Sequence, residues 1–165
     1  MIIKDKFISR KNLKELKTVI FSAHFPWYFN KGVNYNDNKQ PVDHFQFTHL
    51  FYNDITERIN SKLYHAIEPI VEKIKPKKIL RIKANLLTRT SEIIEHGFHI
   101  DFRKKCKTAI FYVNTNNGYT KFENNKVVKS VENRFVLFDS NIKHTGSTCT
   151  DQKRRIVINF NYIVW

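Results

Sequence analysis

The spacing of apolar residues changes once along this 165-residue chain, at Pro76, and this change constrains the fold more than any other feature. Before Pro76, apolar residues recur every three or four positions, which is typical of amphipathic helices. After it, the segment 80–86 alternates apolar with polar residues, which is the pattern of a half-buried strand. Helices followed by many short strands predict an α+β fold, with the helices packed on one face of a sandwich or small barrel.

The N-terminal part divides into three segments. Residues 10–24 carry apolar residues at helical spacing behind Ser9, so they predict an amphipathic helix. Residues 25–53 are rich in aromatic and Asn residues and predict a long loop that serves as a lid or a binding wall. A second helical pattern runs from Asp54 to Ile74, and Pro69 is expected to kink or split that helix.

The C-terminal part predicts a series of short strands separated by Asn-, Gly- and Ser-rich turns. Because no internal repeat or linker interrupts the chain, we expect one domain over 1–165, with a helical and aromatic-loop part (1–76) and a β-core (77–165). The predicted strands are 80–86, 97–103, 107–114, 119–123, 126–131, 134–139 and 154–163.

The chain carries a formal net charge of +14, which favours an anionic partner such as nucleic acid. However, Lys outnumbers Arg 21 to 8 and the lysines are scattered, so a solvated basic surface is the other interpretation. Two cysteines without a CxxC motif, and no apolar core of a signal peptide, predict a reducing cytosol. The absence of a long apolar run argues against a membrane span.

His99-Ile100-Asp101 is the first part of a candidate metal site. In a predicted strand, residues two apart lie on the same face, so an imidazole and a carboxylate converge. His144 follows in a turn after an apolar strand and is placed to reach back over the sheet. Two His and one carboxylate on one face of a metal leave positions open, which suits Fe(II) and oxygen chemistry. Arg155 supplies a guanidinium fork for a carboxylate co-substrate.

With these residues in order, the sequence resembles the Fe(II)- and 2-oxoglutarate-dependent oxygenases. It is most similar to small prolyl-hydroxylase-like members of the kind encoded by phages and bacteria. The resemblance covers residues 80–162. It rests on His99-x-Asp101, Tyr112-Val113-Asn114, Asn117-Gly118-Tyr119-Thr120-Lys121-Phe122, His144 and Arg155-Ile156-Val157-Ile158-Asn159-Phe160-Asn161.

The resemblance implies a double-stranded β-helix (jelly roll) with the N-terminal helices packed against it. It also implies that His99, Asp101 and His144 bind Fe(II), and that Arg155 pairs with 2-oxoglutarate, with Arg154 as the alternative in register. The enzyme would use O2 to hydroxylate a substrate C–H bond, with succinate and CO2 as co-products. The presence of Asp101 favours hydroxylation over halogenation, because halogenating relatives open that position to bind halide.

Two departures from the family pattern concern the co-substrate. The Tyr that many relatives carry before His-x-Asp is absent from residues 84–89, and the Arg-x-Ser pattern is replaced by Arg155-Ile156-Val157. Tyr112, Asn114 and Asn159 are therefore candidate co-substrate contacts, with strand packing and a turn as the alternatives for Tyr112 and Asn114. His96 falls on the opposite strand face by parity, so we expect a surface histidine.

The leading hypothesis is a dioxygenase that hydroxylates a protein or peptide side chain, with proline as one candidate, in a bacterial or infected-host cytosol. One alternative is a nucleic-acid hydroxylase or demethylase of the same superfamily. Another is a non-catalytic jelly-roll module that binds polyanions through the basic surface. The sequence does not identify the substrate or the oligomeric state.

Overall fold

The computed structural model describes residues 1–33, 44–56, 58–102 and 105–165. These residues form two α-helices and eleven strands. They also form two single 3-10 turns, at Asp54–Thr56 and Tyr64–Ala66. The elements are β1 (Ile2–Lys4), α1 (Arg10–Ile20), β2 (Tyr28–Asn30), β3 (Gln46–Asn53), β4 (Arg58–Ile59), α2 (Glu68–Ile74), β5 (Lys78–Thr88), β6 (Lys107–Tyr112), β7 (Tyr119–Phe122), β8 (Val127–Lys129), β9 (Arg134–Asp139), β10 (His144–Gly146) and β11 (Arg154–Ile163).

The strands form two antiparallel sheets. The large sheet has the order β1-β9-β6-β11-β5-β3-β2, with β4 beside β3, and the small sheet has the order β10-β7-β8. The two long strands β5 and β11 lie side by side at the centre of the large sheet, where Asn161 is opposite Arg81 and Arg155 is opposite Leu87. Such a pair of antiparallel sheets is a jelly-roll sandwich, which agrees with the fold predicted from the sequence.

Strand periodicity gives the large sheet two different faces. On its outer face, Ile82, Ile158 and Phe111 join Leu16 and Ile20 of α1 in one buried cluster. On its inner face, β5 and β11 instead present polar side chains between the two sheets. A one-residue shift in register would exchange these faces, so the alternation that predicts the strands also determines which residues are available for a site.

The space between the sheets is apolar at one end. Tyr112, Val136 and Phe138 of the large sheet pack there against Phe122 and Val128 of the small sheet. Phe122 and Phe138 meet edge to face, with ring centroids 5.0 Å apart. This packing holds the sheets together beside the polar end, which the candidate site occupies.

The N-terminal part departs from the sequence prediction in three places. Helix α1 ends at Ile20, and Ser9 caps it by accepting a hydrogen bond from the Asn12 amide at 3.1 Å. The predicted helix over 54–74 is wrong except at its end, because β4 pairs with β3 and only α2 is α-helical. Pro69 lies in the first turn of α2, where its missing N–H has no cost.

The predicted aromatic loop over 25–53 contains two strands. β2 pairs with β3, and β3 in turn pairs with β5, so the aromatic residues of this segment extend the large sheet. Residues 34–43 of the predicted loop lie outside the described residues. The sequence also predicts that this loop serves as a lid or a wall of the site. Two of its described residues, Val33 and Gln46, line the central cavity.

Two details of the β-core and one short N-terminal strand also differ from the prediction. The predicted strand 97–103 is not a regular strand, although His99 forms a bridge with His144, and residues 103–104 are not described. His144 lies in β10 and not in a turn. Strand β1 was not predicted because its three residues are too few to show a period. Among the described residues, no helix is long and apolar enough to span a bilayer.

Candidate metal centre

Two backbone hydrogen bonds fix the distance between His99 and His144. The His99 N–H donates to the His144 carbonyl oxygen and the His144 N–H donates to the His99 carbonyl oxygen, each at 3.0 Å. The segment before His99 thus runs along the edge of the small sheet, next to β10. Residues that exchange two backbone hydrogen bonds have neighbouring side chains. The imidazole centroids of His99 and His144 are accordingly 4.6 Å apart.

Asp101 completes a cluster of three ligands. One ligand atom each from His99, Asp101 and His144 lies within 4.8 Å of the others, and His99 Nε2 is 3.8 Å from Asp101 Oδ1. Among the described residues, this is the only group of three such side chains close enough to share an ion. The sequence prediction of these three residues as one site therefore agrees with their positions.

The hydrogen bonds of both imidazoles leave the same nitrogen free. His144 Nδ1 lies 3.1 Å from the Ile142 carbonyl oxygen, and His99 Nδ1 lies 3.4 Å from the Gly97 carbonyl oxygen. A carbonyl oxygen only accepts, so in the neutral form of each ring the proton is on Nδ1 and the lone pair is on Nε2. A backbone carbonyl of this kind is a common orienting partner of metal-binding histidines.

The Asp101 carboxylate is held from β5 and β11. Asn161 Nδ2 donates to its Oδ2 at 3.0 Å, and Arg81 Nη2 lies 3.6 Å from its Oδ1. Burial by itself would raise the pKa of Asp101, but the charges of His144 and Arg81 and the Asn161 hydrogen bond outweigh it. The pKa therefore lies below its usual value and Asp101 is ionised.

Arg155 is buried beside the cluster, on the inner face of β11. Its Nε donates to Ser130 Oγ at 2.8 Å and its Nη2 donates to Thr120 Oγ1 at 3.1 Å. It forms no ion pair with any described residue. Arg154, the alternative in register, lies on the outer face with its guanidinium 4.6 Å from the Phe21 ring centroid.

The backbone at Gly118 passes so close to the Arg155 side chain that only glycine fits at this position. A Cβ on Gly118 would lie 2.7 Å from Arg155 Cδ and 2.6 Å from the Thr148 carbonyl oxygen, so no side chain fits there. The segment after β6 therefore approaches the arginine as closely as its backbone allows. This contact fixes the guanidinium at one end of the cavity.

A cavity of about 320 Å³ connects the three ligands with Arg155. Asn159 lines this cavity, and its buried Oδ1 has no hydrogen-bond partner among the described residues. Tyr112 and Asn114, the other two predicted co-substrate contacts, do not line it. Tyr112 is buried behind Thr120 and donates to Thr120 Oγ1 at 2.8 Å, whereas Asn114 donates to the Arg154 carbonyl oxygen at 2.9 Å.

His96 is a cavity residue that the sequence prediction placed on the surface. It is buried and lines the cavity, and neither ring nitrogen has a hydrogen-bond partner among the described residues. Its backbone N–H donates to the Gly146 carbonyl oxygen, which ties it to the small sheet. Strand parity failed here because residues 97–99 do not form a regular strand.

The burial of His96 predicts that the free energy of unfolding depends on pH. Burial, together with the nearby His44 and Arg155, lowers the pKa of His96 to about 4. Below the ordinary His pKa the unfolded chain binds a proton that the folded protein does not bind, so stability present at neutral pH is lost as the pH falls. We expect His96 alone to reduce the free energy of unfolding by about 2 kcal/mol between pH 7 and pH 5.

Urea denaturation of the metal-free protein at these two pH values measures this effect. The His96→Phe variant is expected to show a pH dependence smaller by about 2 kcal/mol, whereas a His24→Ala variant, at an exposed position, keeps the full dependence. Equal pH dependence in wild type and His96→Phe would contradict the prediction.

Lys83 is a second cavity residue that the sequence did not reveal. It lies on β5 opposite Asn159, and its half-buried side chain lines the cavity. Burial, together with the adjacent Arg81 guanidinium, lowers the pKa of the Lys83 ammonium to about 8. Lys83 therefore remains largely protonated at neutral pH, although its ammonium has no ion pair with a described residue.

The chain shares its fold with solved enzyme structures, and we compared it with three of them. A prolyl hydroxylase from Trichoplax adhaerens, in complex with a hypoxia-inducible-factor peptide fragment, gives a TM-score of 0.70 at 14% identity and covers 98% of this chain and 82% of its own. A viral collagen prolyl hydroxylase from Paramecium bursaria Chlorella virus-1 gives 0.64 at 13% identity, covering 97% and 93%.

The third structure is that of an enzyme that has the same fold and is named for a different reaction. The α-ketoglutarate-dependent epimerase SnoN of nogalamycin biosynthesis gives a TM-score of 0.67 at 9% identity, covering 99% of this chain and 77% of its own. No family model matches the sequence, and no curated protein matches it. At these identities the similarity establishes the fold alone. The chemistry depends on the side chains that line the cavity.

Proposed function

We propose that this protein is an Fe(II)- and 2-oxoglutarate-dependent dioxygenase that hydroxylates a C–H bond of a protein or peptide side chain. The observation that carries the proposal is that a buried arginine, with no ion pair to any described residue, shares one cavity with two His and one Asp at metal-ligand spacing. The fold is the one on which solved 2-oxoglutarate-dependent enzymes place their chemistry.

The donor set fits Fe(II). Two neutral Nε2 atoms and one carboxylate oxygen occupy three positions of a six-coordinate metal and leave the others open. No cysteine takes part, because both cysteines are buried elsewhere, so the set differs from the closed cage of structural zinc. Fe(II) bound there would activate O2, so that one oxygen atom converts 2-oxoglutarate to succinate and CO2 and the other hydroxylates the substrate C–H bond.

The protein residues hold and orient the reactants. Arg155 presents a cation to the distal carboxylate of 2-oxoglutarate, and its hydroxyl partners Thr120 and Ser130 keep the guanidinium in one position. Asn161 holds Asp101, so that its other oxygen faces the metal position. The two sheets exclude water from the apolar end of the sandwich.

A peptide substrate is supported by the Trichoplax enzyme, whose structure holds a peptide fragment. Val33 and Gln46, in the connection between β2 and β3 and at the start of β3, also line the cavity. Proline is one candidate side chain, because two of the compared enzymes are prolyl hydroxylases.

The test is a visible absorption spectrum under anaerobic conditions. Metal-free protein mixed with Fe(II) and 2-oxoglutarate is expected to develop the charge-transfer band of the chelate, and neither Fe(II) nor 2-oxoglutarate alone gives it. Folded protein that gives no band would remove the proposal and leave the non-catalytic module as the better hypothesis. With the band in place, O2-dependent succinate formation in the presence of candidate peptides identifies the substrate.

A further inference from the structure

The cavity contains more positive charge than the proposed metal and co-substrate require. Arg81, Lys83 and Arg155 line it, against Asp101 as the one carboxylate among the described lining residues. Fe(II) and the dianion 2-oxoglutarate cancel each other's charges. Two positive charges therefore stay uncompensated when both are bound, in a site where unpaired charges are costly.

Lys83 is the lining cation whose side chain has no partner in the part of the chain that the structure describes. Arg81 donates to Asn161 Oδ1 at 3.2 Å and contacts Asp101, and Arg155 donates to Ser130 and Thr120. Lys83 has no such bond with a described residue. Burying an ammonium in this way is unfavourable unless a ligand compensates it, so the side chain is poised for an anion.

The position of Lys83 separates it from the co-substrate arginine. Along β5 it lies two residues from Arg81, which contacts the metal ligand Asp101, and four residues from Leu87, which is opposite Arg155. Side chains two apart on a strand are about 7 Å apart, so Lys83 belongs to the metal end of the cavity. Asn159, opposite Lys83, adds a side-chain amide whose Nδ2 is a donor for an oxyanion.

We infer that the substrate carries an oxyanion, a carboxylate or a phosphate, and that Lys83, with Arg81 and Asn159 beside it, holds this group next to the metal site. This inference rests on the proposed function and names the chemical class of its substrate. An acidic side chain, a phosphorylated residue or a chain terminus presented by a peptide meets the requirement, whereas a neutral peptide leaves Lys83 without a counter-charge.

The test uses inorganic phosphate and acetate as probes. Protein in excess over Mn(II), saturated with 2-oxoglutarate, relaxes the nuclei of an anion only when that anion binds close to the metal, because paramagnetic relaxation falls steeply with distance. Anions bound elsewhere on the basic surface are therefore silent. We expect relaxation of both probes in wild type, and a decrease of roughly tenfold or more in apparent affinity in Lys83→Met.

Two further variants complete the design. Lys129→Met removes an exposed lysine of β8 and is expected to bind the probes as wild type does, whereas Lys83→Arg keeps the cation and retains binding. Equal relaxation in Lys83→Met and wild type would overturn the inference. Each protein is also titrated with 2-oxoglutarate through the Fe(II) chelate band.

The chelate titration separates the possible failures. If Lys83→Met weakens the band, Lys83 holds the co-substrate and the inference about the substrate is wrong. If wild type gives no band, the proposed function fails and the inference fails with it. A normal band together with lost probe binding supports an anionic substrate.

Discussion

Replacing His99 by alanine is expected to abolish the Fe(II)–2-oxoglutarate chelate band and 2-oxoglutarate turnover. Removing an outer partner of a metal ligand already weakens metal binding roughly 10–100-fold, and removing a ligand has a larger effect. His99 also bridges to His144 through backbone atoms only, and a substitution leaves those hydrogen bonds in place. The loss is therefore chemical, and the fold remains.

Two measurements make this prediction specific. Anaerobic titration with Fe(II) at saturating 2-oxoglutarate gives the metal affinity, and circular dichroism with urea denaturation shows whether the variant folds. His24→Ala removes an exposed histidine outside the cavity and should match wild type in both. A His99→Ala protein that still forms the band would exclude His99 as a ligand.

The cluster of His99, Asp101 and His144 could be predicted because the relevant information is local or follows the order of the chain. His99 and Asp101 are two positions apart, and their convergence does not require a regular strand, since the described residues 97–102 form only the bridge at His99. Arg155 was placed on the correct strand, since β11 agrees with the predicted 154–163. The long, strongly alternating strands were predicted best for the same reason.

Residues whose role depends on distant contacts could not be predicted. Helical spacing over 54–74 suggested a helix, but pairing with β3 makes Arg58–Ile59 a strand, because a tertiary contact outweighs a local preference. His96 faces the cavity only because its N–H pairs with Gly146, 50 positions away in sequence. In the sequence, nothing distinguishes Lys83 from the other scattered lysines. Its position in the cavity depends on the register of β5 against β11, which places it opposite Asn159.

Replacing Arg155 by methionine is expected to weaken 2-oxoglutarate binding by roughly thirtyfold to several thousandfold, the range for truncating one partner of a buried charge pair. Fe(II) binding in the absence of 2-oxoglutarate should change little, since Arg155 contacts Ser130 and Thr120 and none of the three ligands. The chelate band, titrated with 2-oxoglutarate at fixed Fe(II), measures the effect. Arg154→Met is the matched control, because Arg154 lies against Phe21 on the other face of the same strand.

The stability of Arg155→Met adds a second, independent criterion. In the free protein the guanidinium is a buried cation that forms no ion pair with a described residue, and its partners there are two hydroxyls and the face of the Tyr112 ring. An apolar side chain of similar length removes the cost of burying a charge that has no counter-charge. We therefore expect urea denaturation to show a free energy of unfolding at or above that of wild type. A variant that loses stability as well as affinity would indicate that Arg155 supports the sandwich, whereas lost affinity with retained stability indicates that it is kept for its ligand.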